Sequence, residues 1–159
     1  MTVPARTRRG CLAAALALAT SGPLDAQVTQ RANLEFGSII SGTTTSVGPA
    51  EAGAASWRIH FTLLALVPSF DLTLPASLSR VGGGATMPIS FCATCGLYRA
   101  NNTTPGGTTF NPNGSVSLGL ISLGTNIYVW LGGSVSPPLS QMAGSYTGTM
   151  VLTVYGVTL

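Results

Sequence analysis

"SWRIHFTL" (residues 56–63) alternates with a period of two: Trp57, Ile59, Phe61 and Leu63 on one side, Arg58, His60 and Thr62 on the other. A β-strand sends successive side chains to opposite faces, so this is the pattern of a strand half buried against a core. The period recurs along the chain. Phe70, Leu72 and Leu74 alternate with Asp71 and Thr73, and "MPISF" (87–91) and "NIYVWL" (126–131) repeat the pattern. "NLEFGSII" (33–40) sets Leu34 and Phe36 on one face. "SYTGTMVLTVYGV" (145–157) sets Met150, Leu152 and Val154 against Thr149, Thr153 and Tyr155, and it reads as a long central strand. Gly82-Gly83-Gly84, "NNTTPGGTT" (101–109), "NPNG" (111–114) and "GGSVSPP" (132–138) supply turns between these runs. Short strands separated by turn signals indicate an antiparallel β-sandwich or barrel of one domain.

The first residues have the layout of an export signal. Arg6, Arg8 and Arg9 precede an apolar run from Cys11 to Ala19, then Ser21-Gly22-Pro23, with Ala26 a suitable cleavage point. The apolar run falls short of the about 20 residues that span a bilayer. Thr7-Arg8-Arg9 also raises a twin-arginine route, although the residues after it fit the ordinary route for unfolded chains better. Residues 1–26 are therefore expected to be removed on export to the periplasm, cell surface or medium, leaving residues 27–159 as one β domain. The formal net charge of +3 includes Arg6, Arg8, Arg9 and Asp25, so without them it falls to +1. The chain has no lysine. A nucleic-acid footprint requires a clustered basic face, and the sequence offers no such cluster.

Cys92-Ala93-Thr94-Cys95 is the one motif with chemical potential. A thioredoxin-like pair sits at a helix N-terminus, where the dipole lowers a thiol pKa, but here it follows a strand pattern and precedes "GLYRANNTT" (96–104), which has no helical period. A zinc site needs four ligands, and His60 is the only further candidate. A c-type haem would need histidine where Gly96 stands. In an exported protein such a pair reads as a local disulfide. Its short loop removes little chain entropy, so it contributes about 2 kcal/mol.

Other chemistry is thin. A Ser-His-Asp site would have to use His60, the single histidine, with Asp71, and no Gly-x-Ser-x-Gly elbow supports it. Glycosidase chemistry would draw on Glu35, Glu51 and Asp71, and spacing selects no pair. The sequons at Asn101, Asn102 and Asn113 lie in turn-rich loops and read as turn residues.

"LEFGSIISG" (34–42), "VWLGGSV" (129–135) and "QMAGSYTGTMVLTVYGV" (141–157) resemble the exported bacterial β domains called domain of unknown function 4402. That family is similar to spore coat protein U and chaperone–usher pilin domains. "FDLTLPASL" (70–78) and "GGGATMPISF" (82–91) fit its middle, so the resemblance covers most of the mature chain. It implies an immunoglobulin-like or pilin-like sandwich of about 7–9 strands, and it transfers no catalytic residue. The expected protein is a surface or secreted structural or interaction protein, such as a fimbrial-like or adhesin-like subunit, with no cofactor or metal and no enzymatic role. Its expected partners are surface-fibre subunits or extracellular glycans, not nucleic acid. The alternative is a carbohydrate- or ligand-binding module in which Tyr128 and Trp130 stack on sugar rings, unless that aromatic face packs a second sheet.

Pilin-like subunits polymerise by lending an N-terminal strand to a neighbour. Residues 27–33 reach about 23 Å at most, and Val28 and Ala32 are their only apolar side chains. This arm is a poor donor. The isolated domain is therefore expected to be a monomer, its sheets completed by "LEFGSII" and the terminal strand.

Thiol labelling of the exported protein without reductant should find neither Cys92 nor Cys95 free. Labelling of both, or binding of one zinc ion per chain, would remove the staple.

Overall fold

The computed structural model describes residues 26–62 and 64–158, so the export-signal residues 1–25 and the expected inward position of Leu63 lie outside the described residues. The described residues form 13 strands and no helix, and every ladder is antiparallel. The protein is an all-β sandwich. The strand count exceeds the expected seven to nine because proline and glycine break several long runs into shorter strands.

In spatial order, the first layer holds β1 (Ala26–Ala32), β3 (Ala55–Phe61), β10 (Asn126–Leu131), β7 (Gly96–Arg99) and β8 (Thr108–Phe110). The second layer holds two ladders. One is β13 (Val151–Thr158), β4 (Ala65–Thr73) and β9 (Val116–Ser117). The other is β12 (Tyr146–Thr147), β5 (Ser77–Arg80), β6 (Thr86–Ser90), β11 (Gly133–Val135) and β2 (Thr45–Val47). The chain runs from β4 into β5 through Pro75, and from β12 into β13 through Gly148. Proline has no N–H to give a ladder. A Cβ at Gly148 would stand 2.8 Å from Leu78 Cδ2.

One strand serves both layers. β10 leaves the first layer and continues as β11 in the second, turning at Gly132. There the backbones crowd: a Cβ on Gly132 would lie 2.2 Å from the Val47 carbonyl oxygen and 2.9 Å from Pro49 N. Only glycine permits that approach. The Gly132 N–H donates to the Cys95 carbonyl, which ties the corner to the cysteine turn.

The alternation read from the sequence sets the core. Trp57, Ile59 and Phe61 of β3, with Ile127, Val129 and Leu131 of β10, are buried in one cluster with Phe70, Phe110, Val116 and Leu152. Phe70 meets Phe110 and Tyr98 edge-on, with ring centroids 5.2 and 6.3 Å apart. Such pairs add about 0.5–1.5 kcal/mol beyond the area they bury. Leu78, Met87, Ile89 and Val135 form a second cluster, packed by Leu34, Phe36, Ile39, Phe91 and Tyr146.

Two expectations are corrected. "LEFGSII" belongs to an irregular segment, residues 33–44, and closes no sheet. Its Leu34 and Phe36 do share the inward direction expected of them. The terminal run is interrupted at residues 148–150 and lies at the edge of the second layer, not at its centre. Its inward face is as expected: Leu152 is buried and Met150 and Val154 pack on the core, whereas Val151 and Tyr155 are exposed. A bulge separates the Leu66–Val157 and Ser69–Tyr155 pairs, and within it Val67 takes φ +44°. That left-handed backbone is strained for a β-branched side chain.

Leu152→Ala should cost about 2–5 kcal/mol in chemical denaturation, and Gly132→Ala should do at least comparable damage. Thr153→Ala should stay within about 1 kcal/mol. Equal tolerance of the Leu152 and Thr153 changes would mean that the inward face is wrong. Val67→Gly, which relieves the left-handed strain, should raise the melting temperature; a clear fall would show that Val67 is held there without strain.

Candidate functional site

The outward face of the first layer is built from rows of paired residues. Register places Thr29, Arg58, Tyr128 and Arg99 side by side across β1, β3, β10 and β7. The next row holds Ala32, Ser56, Trp130, Leu97 and Thr109. On the other side lie Gln27, His60 and Asn126. These residues point away from the core because their neighbours Trp57, Ile59, Ile127 and Val129 point into it. No acidic residue occurs in the three rows.

Tyr128 and Trp130, two residues apart on β10, stack with centroids 6.1 Å apart and planes 28° apart. Both are half-buried. Arg31, from the irregular end of β1, lays its guanidinium 5.4 Å from the centre of the Tyr128 ring. Its Nη1 donates to Asn102 Oδ1 in the loop after β7. Arg99 Nη1 donates to Thr103 Oγ1 and to the Pro105 carbonyl in the same loop. The Arg58 Nε is enclosed without a hydrogen-bond partner. Three of the four arginines among the described residues thus lie beside or over one tyrosine in the strand order, and the hydrogen bonds of Arg31 and Arg99 go to neutral groups. This grouping of arginines forms only in the fold. It was invisible in the sequence because Arg31, Arg58 and Arg99 come from three separate strands.

A second feature lies on the open side of the sandwich. A groove of about 940 Å³ runs between residues 33–41 and residues 141–150, and Leu78, Met87 and Ile89 also line it. The 33–44 wall has no ladder. Its backbone is tied by Glu35 N–H to the Gly53 carbonyl and Gly42 N–H to the Pro137 carbonyl. Opposite it, β12 and β13 are the terminal strands of their ladders. Ile40, Leu139 and Met142 are exposed in the two flanking segments. Exposed apolar side chains grouped beside a groove are a feature of interaction sites.

Cys92 and Cys95 stand at disulfide distance, with Cα atoms 5.0 Å apart, in the turn that carries the chain from β6 to β7. Cys95 N–H donates to the Cys92 carbonyl, and Cys92 N–H to Cys95 Sγ. The setting is a crossover between layers and lies at no helix terminus.

The other candidates are not brought together. His60 Nδ1 donates to Asn126 Oδ1 at 3.0 Å on the outward face of the first layer. Asp71 belongs to β4 of the second layer, in a depression with Asn113, Gly114 and Ser115. Their pairing in a triad has no geometric basis. Glu51 accepts from Gly48 N–H in its own turn, and Glu35 is an exposed residue of the groove wall. Among the described residues no group of three or more His, Cys, Asp or Glu side chains is placed to hold a metal ion. Asn113 bonds Asn111 and the Phe91 carbonyl, as a turn residue does. No protein-family model matches the chain, and no curated protein matches it.

Proposed function

We propose that the protein is a non-catalytic structural or interaction subunit, exported to the cell surface or medium and assembled with other subunits there. The open groove carries this reading. An extended segment with apolar side chains at alternate positions would lay them over Leu34, Phe36, Ile39 and Met150. Its backbone would meet strand edges that lack a neighbour, the mode of strand addition. The partner's segment is not this chain's own N-terminal run, because β1 already pairs with β3 from Ala26 to Ala32 and carries little apolar surface. The export-signal layout and the resemblance to pilin-like domains support the location.

A second reading, binding of a carbohydrate, rests on the stacked Tyr128–Trp130 pair.

Phe36→Asp and Ile39→Asp place a charge in the groove wall and should abolish incorporation into cross-linked surface assemblies of the producing cell. The exported monomer should remain folded by circular dichroism. Wild-type protein that stays monomeric at the surface, or Asp variants that assemble normally, would refute the assembly reading.

A further inference from the structure

From the charge and shape of the first layer's outward face, we infer that it binds an acidic glycan, a chain of sugars that bear carboxylates. The inference rests on the carbohydrate-binding reading and narrows it to a substrate class.

Arg58 and Arg99 flank Tyr128 as cross-strand neighbours in one row, and the Arg31 guanidinium lies over its ring. The rows that hold Arg58 and Arg99 contain no acid. The mature chain's carboxylates are elsewhere: Glu35 in the groove wall, Glu51 in its own turn and Asp71 on the second layer. Among the described residues, the face therefore has a positive charge with no acid beside it, and an anion is its complement. Guanidinium forks match carboxylates in geometry as well as charge.

The aromatic pair narrows the class. Trp130, stacked against Tyr128 on the outward face, is half-buried and presents apolar ring area beside a polar tip. A pyranose ring has one face of C–H groups that suits such a surface, and a uronic acid adds a carboxylate at the ring's edge. A free phosphate or a simple carboxylate would use the arginines and leave the rings idle. Nucleic acid would use both, but its affinity comes from many phosphate contacts with basic groups. This face offers three arginines on a chain without lysine.

Arg31 is exposed at the sheet edge, so its side chain can leave Asn102 for a ligand at little cost to the fold. Arg58, with its Nε enclosed and unpaired, is held in place beside Tyr128. One guanidinium would adapt to the sugar chain while the other anchors it.

The test is calorimetric titration of the purified exported chain with oligogalacturonate, with a neutral maltooligosaccharide of equal length and with oligothymidylate. The expected result is binding of oligogalacturonate alone, weakened by added salt. R31Q and R58Q should each lower affinity by at least about tenfold, with unchanged melting temperature for R31Q. W130A should abolish binding. Equal binding of the neutral sugar, unaffected by R31Q, would overturn the acidic-glycan inference while keeping a carbohydrate site. Absence of binding to either sugar would overturn both. Tighter binding of oligothymidylate would reassign the face to nucleic acid and overturn the inference.

Discussion

The packing of β3 and β10 onto Phe70 and Leu152 determines how every other part of the molecule is placed. Alternate residues of two neighbouring strands fill one interior, and the intervening residues have nowhere to go but outward. Trp57, Ile59, Ile127 and Val129 thereby hold Arg58, His60, Tyr128 and Trp130 in fixed rows. A one-residue slip would bury Arg58 and His60 and expose the core, so the register is strongly determined. The rows of the outward face are set by the core beneath them. This is the condition a binding surface needs if its arginines are to stay in place without carboxylate partners.

The open side has the opposite character. Where β1 ends, the chain passes through residues 33–44 without joining a ladder, and the facing strands β12 and β13 are short or interrupted. The side chains of Leu34, Phe36 and Ile39 satisfy the second core cluster, but the backbone does not complete a sheet. The two layers diverge because β10 crosses between them at Gly132 and β4 bends into β5 at Pro75. Along residues 33–44 the second cluster is covered by a segment that joins no ladder. The groove is the consequence of that geometry.

Much of the fold was legible from the period of two. Trp57, Ile59, Phe61, Met87, Ile89, Ile127, Val129 and Leu131 are all inward as the alternation indicates, because burial of one strand face leaves a local mark. The same rule misjudged "LEFGSII": its apolar residues do point inward, but from an irregular segment. Periodicity reports which way side chains face, whereas a ladder also requires a neighbouring strand with matching register. The terminal run likewise showed its inward face and concealed its place at the edge. That place depends on which strands pack beside it, and Gly148 interrupts the run where Leu78 and Pro75 approach.

The all-β class, the inward stripe of each strand and the turn that holds Cys92 and Cys95 were determined by local sequence, since alternation, turn chemistry and a three-residue spacing all act within a few residues. The basic aromatic face and the groove were decided only by the tertiary structure. Arg31, Arg58, Arg99 and Tyr128 are spread over about a hundred positions of the chain and meet through strand order. The groove exists because residues 33–44 pass beside the second layer without joining a ladder. Neither strand order nor the angle of a crossing is written in any short stretch of residues; both follow from the long-range packing that buries Phe70 against Phe110.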